Sequence, residues 1–186
     1  MRFAAVVEHN AAEVRLTMIG NIVSAALFLL GIGTAIMAQQ PSVSNRPADV
    51  RVTFSDSRTY KGSYSSKATA RTCGETNPLY FGKKTFSFEF PEEAKDADAI
   101  QDVTFGSEEL VGGRKSAAGF MVSVSVKTKE IGHPPDWVVD TTNQRDKASG
   151  SASLGGTDSE TTLTVKATNS LGEKLELLVT CHAPKQ

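Results

Sequence analysis

The stretch from Thr161 to Cys181 sets the tightest limit on what this chain can form. It reads Thr-Thr-Leu-Thr-Val-Lys-Ala-Thr, then Asn-Ser-Leu-Gly, then Glu-Lys-Leu-Glu-Leu-Leu-Val-Thr-Cys. Leu163, Val165 and Ala167 take every second position of one arm, and Leu175, Leu177, Val179 and Cys181 do so in the other. Alternation of that period sends successive side chains to opposite faces of a strand, so each arm has one apolar face. The Asn169–Gly172 break holds Asn and Gly, which tolerate positive φ, and the stretch predicts a β-hairpin with a four-residue loop. The position of Cys181 on the apolar face predicts a place in the core.

The same period recurs upstream. Val50–Ser55, Thr85–Phe90, Ile100–Phe105, Phe120–Lys127, Trp137–Val139 and Ala148–Leu154 each read as a short strand. Phe86, Phe88 and Phe90 share one face, which predicts an aromatic floor to the core. Thr59–Thr72 is rich in Ser and Thr and alternates poorly, so it predicts an edge strand or a bulged one. Gly74–Lys84, Gly106–Gly119 and Gly132–Asp136 read as loops. Glu92–Asp98 is the one stretch with the composition of a short helix, and it is too polar to bury a face. Seven to eight short strands separated by turns predict an all-β fold, an antiparallel β-sandwich (immunoglobulin-like or similar), with a small β-barrel as the alternative. A sandwich packs one face of each sheet and wets the other, as the one-sided apolar pattern requires.

The first 38 residues read differently. Ile22–Ala38 is an uncharged apolar run preceded by Arg2 and Arg15, ended by a small residue and followed by Gln39-Gln40-Pro41. That layout predicts a signal peptide over 1–38, cleaved after Ala38. Glu8 and Glu13 keep the leading segment from being clearly basic. The rival reading is an uncleaved membrane anchor over residues 18–38, close to the roughly 20 apolar residues that a spanning helix needs. Both readings place the remainder outside the cytoplasm. Residues 39–48 read as a linker and 49–186 as a single β-domain.

Net charge is −1, and the leader carries as many acidic as basic residues, so its removal leaves that value unchanged. A near-neutral domain lacks the basic patch of a nucleic-acid binder and the polybasic segment of an anionic-membrane binder. A membrane is implied only if residues 18–38 are retained. Two cysteines are present, Cys73 and Cys181. In an oxidising compartment an even pair predicts one disulfide. It would close a loop long enough to contribute about 4–5 kcal/mol in the chain-entropy model.

Assembled chemistry is sparse. Beyond the leader there are only His133 and His182, far apart in sequence, and zinc or copper sites need three or four ligands at close spacing. No metal site and no cofactor is implied. Neither Gly-x-Ser-x-Gly nor Ser-x-x-Lys occurs, and Gly112-Gly113-Arg114-Lys115-Ser116 lacks phosphate-loop spacing. Glu92, Glu93, Asp96, Asp98 and Asp102 read as a solvated acidic face. The residues singled out for ligand binding are Tyr80 and Phe81 in one loop and His133, Asp136 and Trp137 in another, where Pro134 and Pro135 stiffen the turn. An exposed aromatic on a rigid loop is a binding anchor; the other reading of Trp137 is a cap on the core. No catalytic residue is nominated. These features imply an exported, non-enzymatic binding or structural domain whose partner is an extracellular glycan or protein. The alternatives are a secreted hydrolase acting on glycans or esters and a membrane-anchored envelope assembly subunit.

Overall fold

The computed structural model describes residues 44–76, 83–90, 99–129, 135–157 and 159–184. They form ten strands: β1 Ser44–Ser55, β2 Gly62–Thr76, β3 Thr85–Phe90, β4 Ala99–Ser107, β5 Ser116–Ala117, β6 Met121–Lys127, β7 Trp137–Asp140, β8 Ser149–Thr157, β9 Glu160–Thr168 and β10 Lys174–His182. All pairings are antiparallel. Among the described residues there is no helix, and therefore none long and apolar enough to cross a membrane. The stretch expected to offer a short helix, Glu92–Asp98, and residues 1–38 lie outside the described residues.

The strands form a single curled sheet, a half-barrel, in the order β5-β8-β9-β10-β1-β2-β3-β4-β6-β7. This replaces the expected pair of separate sheets. The physical reason is β2. Its first part pairs with β1 from Gly62 to Thr72, and its last part pairs with β3 from Thr72 to Thr76. One long strand thus belongs to two limbs, and the hydrogen-bond ladder never breaks. The expectation of an edge strand for Thr59–Thr72 is likewise corrected, because β2 lies in the middle of the sheet. Its inward residues are Tyr64, Ala70 and Cys73, too few and too mixed in size to show as clean alternation. Two further corrections concern limits. β1 begins at Ser44, inside the expected linker, and β5 lies inside the expected Gly106–Gly119 loop. Pro47 hid the start of β1. It is paired with Thr69 of β2 but precedes the register with β10, which begins at Ala48, so one side of β1 is still an open edge there, where a residue without an N–H is tolerated.

The hairpin forms as the alternation requires. Leu163, Val165, Ala167, Leu175, Leu177, Val179 and Cys181 are all buried. The last pair, Thr168 with Lys174, leaves five loop residues, one more than expected. Gly172 has φ +80°, the left-handed conformation that glycine adopts without steric cost. Asn169 works through its side chain instead: its Oδ1 accepts the N–H groups of Leu171 and Glu173, each at 3.0 Å.

The core lies inside the curl. Phe86, Phe88, Phe90, Phe105 and Phe120 line one limb, and Phe105 stacks on Phe120 with ring centroids 5.8 Å apart. Phe120 reaches across to β8, where Gly150 makes room for it. A Cβ at Gly150 would come within 2.8 Å of the Phe120 ring and 2.4 Å of the Lys166 carbonyl.

Cys73 and Cys181 form the expected disulfide. It joins β2 to β10, the two neighbours of β1, and both cysteines are buried. Arg46 of β1 is buried beside it. Its guanidinium donates to the carbonyls of Cys73 (3.3 Å), Cys181 (3.0 Å) and His182 (2.9 Å), and to Thr161 Oγ1 (3.3 Å). Burial lowers the Arg46 pKa from its ordinary value. The four acceptors replace the water that the cation loses.

Candidate binding cleft

The strand ends that flank the two loops nominated from sequence lie towards opposite ends of the sheet. Ser107 of β4 pairs with Phe86, near the start of β3, while Ala99 at the other end of β4 pairs with Lys127, the last residue of β6. Eight strand steps separate Ala99 from Ser107, about 27 Å at 3.3–3.4 Å per residue. Thr76 and Thr85, which flank loop Gly74–Lys84, lie at the first end, and Trp137, which follows loop Gly132–Asp136, lies towards the second. Tyr80, Phe81 and His133 themselves lie outside the described residues.

Asp136 is exposed. Trp137 is 3% exposed and meets Phe54 edge-on, with centroids 6.1 Å apart. It caps the core and does not offer its ring face to a ligand. Its indole N–H finds no acceptor among the described residues, and a buried donor left in that state costs about 1–3 kcal/mol. Tyr60 packs on the same Phe54 and donates its hydroxyl to the Pro135 carbonyl. Burial, aided by the charge of Asp136, pushes the Tyr60 pKa up to about 12, so the phenol stays protonated and keeps donating.

Beside the start of β3, the outer face holds a cleft of about 440 Å³ lined by β3, β4, β6, β7 and the segments that follow β4 and β7. Its floor is Met121, 45% exposed, with Gly106 and Thr85 beside it. Its acids are Glu108, Glu109 and Asp140. Local bonds hold each of them. Glu109 Oε2 accepts the N–H groups of Ala118 (2.7 Å) and Gly119 (3.0 Å). Ser107 Oγ accepts the Glu109 N–H and donates to the Gly119 carbonyl, which fastens the turn that presents Glu109. Asp140 Oδ1 accepts from the N–H and the hydroxyl of Thr142. Glu108 pairs with Lys83 at 2.8 Å. The amides of Gly119 and Ala118 lower the Glu109 pKa below its ordinary value, with Arg114 helping and slight desolvation opposing. Glu109 is therefore a fixed negative charge at neutral pH.

A second depression of about 300 Å³ lies on the outer face of β1, β2 and β10, lined in part by Arg51, Ser65, Lys67, Leu178 and Thr180. Leu178 is 43% exposed. Lys67 is 3.4 Å from Asp49, and Arg51 makes no ion pair among the described residues. His182, at the end of the same face, has Asp49 3.4 Å from Nε2 and Glu160 3.3 Å from Nδ1.

Sequence reasoning missed both depressions. Their residues come from three and four separate strands, and no local spacing joins Glu109 to Asp140 or Arg51 to Leu178. The one available signal was outward parity: Met121, Val138 and Leu178 occupy the solvent positions of their strands, where an apolar side chain departs from the pattern. Among the described residues, no group of three His, Cys, Asp or Glu is placed to hold a metal ion. The chain matches no family model, no curated protein and no solved structure. The disulfide suggests a compartment other than the cytoplasm.

Proposed function

We propose that this chain is an exported, disulfide-closed β-domain that binds a partner without catalysing a reaction, with the cleft around Met121 as its binding face. The observation that carries the reading is the state of Glu109. The amides of Ala118 and Gly119 donate to its carboxylate at 2.7 and 3.0 Å and favour the charged form over the protonated form that a general acid needs. A pre-set anion over an apolar floor suits recognition of a cationic group carried by a protein or glycan. Export is supported by the signal-like leader and by the disulfide, which an oxidising compartment maintains.

The test is binding in the oxidised protein before and after Asp140→Asn and Met121→Lys, read by crosslinking to partners in the native source. Loss of the same crosslinked species in both variants is expected. Turnover of glycan or ester substrates that disappears with Glu109→Gln would overturn the proposal.

A further inference from the structure

The outer faces of the two limbs carry opposite charge. Around the cleft stand Glu108, Glu109 and Asp140, with Lys83 paired to Glu108 and Arg114 acting on Glu109 as the counter-charges among the described residues. On the other limb the depression is edged by Arg51 and Lys67, with Asp49 as its acid. Each face also exposes an apolar side chain next to its charges, Met121 at 45% on the acidic face and Leu178 at 43% on the basic one. Met121 shares the outward positions of its strand with Ser123, Ser125 and Lys127, and Leu178 shares those of its strand with Lys174, Glu176 and Thr180. Complementary potentials fix which surfaces meet and in what register.

We infer that the occupant of the acidic cleft is a second copy of this chain, which docks with its β1–β2–β10 face so that Arg51 enters the cleft beside Glu109 and Asp140. This rests on the cleft being the binding face, and it names the partner. A guanidinium on a flexible stem fits a cleft of about 440 Å³ and pairs with carboxylates in a fork geometry. Leu178 then lies towards Met121, and the contact removes both from water. The two patches differ and lie on different limbs, so the contact is head-to-tail. Such a contact leaves one acidic and one basic face unused on every dimer, and it grows into a ring or a filament.

The experiment is sedimentation velocity on the purified, oxidised protein. The average mass should rise with protein concentration at about 0.01 M salt, where charges act over roughly 30 Å, and return to the monomer value at about 1 M salt, where they act over roughly 3 Å. Arg51→Glu and Asp140→Asn should each weaken self-association by at least about tenfold, as expected for a close interfacial charge pair. Arg51 makes no ion pair among the described residues, and the amide introduced by Asp140→Asn retains the oxygen that Thr142 bonds, so both variants should keep their thermal midpoint. An equimolar mixture is the decisive arm. Arg51→Glu still presents an intact acidic face and Asp140→Asn an intact basic one, so together they should form a 1:1 dimer that grows no further. Wild-type protein that stays monomeric at every concentration and low salt overturns the second copy as partner, while crosslinking lost on Asp140→Asn would still uphold the cleft. A mixture that stays monomeric while the wild type assembles overturns the head-to-tail pairing.

Discussion

The limb built from β8, β9, β10 and β1 is closed at both ends by specific bonds, whereas the limb built from β3, β4, β6 and β7 is held by packed rings. At one end of the first limb, the disulfide and the Arg46 guanidinium tie β1, β2, β9 and β10 together. At the other end, Glu173 accepts from Ser57 Oγ (3.1 Å), the Arg58 N–H (3.0 Å) and Asn169 Nδ2 (2.9 Å), joining the β1–β2 loop to the hairpin turn. The inward residues of this limb are mostly Val, Leu and Ala, which fill less volume per position than the phenylalanines opposite. Small aliphatic residues bury less area, and the polar and covalent ties supply what that packing lacks. The aromatic limb relies on its rings, and its loops are left to present the cleft.

That contrast can be broken by measurement, and the largest effect should come from the disulfide. Replacing both cysteines, Cys73→Ala with Cys181→Ala, should lower unfolding free energy by about 4–5 kcal/mol, read from guanidinium unfolding curves. A loss below about 1 kcal/mol would mean that the first limb does not depend on its tie. Next, Phe105→Ala should cost about 3–5 kcal/mol through lost burial and a cavity. This cost should be the same at pH 4 and pH 7, since no titrating group is involved.

Glu173→Gln should cost about 1–3 kcal/mol at neutral pH, the range for bonds to a buried charged acceptor, and here pH matters. Burial raises the Glu173 pKa, but the bonds from Arg58, Asn169 and Ser57 outweigh it and leave the value below the ordinary 4.5. A carboxyl with a lowered folded pKa contributes its full stability above the unfolded value and loses it as pH falls through the folded one. The wild type and Glu173→Gln should therefore converge in stability below about pH 4.5, where a constant gap would refute this role for Glu173. The smallest effect is expected from Lys166→Ala. Its pair with Glu176 is 2.9 Å long but well exposed, and such pairs contribute about 0–1 kcal/mol. A larger loss would place real weight on the outer surface of the first limb.

Much of the interior is legible in the residues alone. Period-two alternation marks the inward residues of the terminal hairpin, of β3 and of β6, and the even cysteine count marks the bridge. What escapes is set by partners distant in sequence. β2 reads as an edge because its buried residues, Tyr64, Ala70 and Cys73, do not alternate cleanly, and only its two neighbours show that it is central. Ten strands in one sheet, in place of seven or eight in two, follow from pairings that no local pattern records. The candidate residues split for the same reason. The Trp137 side chain is inward by parity with Val139, which the short run Trp-Val-Val leaves open in either register. Glu109 escapes notice because a carboxylate in a loop reads as solvated until the two amides that hold it are seen.

The position of β1 has a consequence for the order in which this protein becomes folded. The earliest strand of the sheet lies between β2 and β10, so one side of β1 stays unpaired until nearly the whole described chain has been synthesised. Pairings between such distant segments form slowly. Cys73 likewise waits for Cys181, 108 positions later. While the chain is made it can hold only a partial sheet, without its bridge and with one edge of β1 unpaired. The sheet is complete only when its last strand arrives.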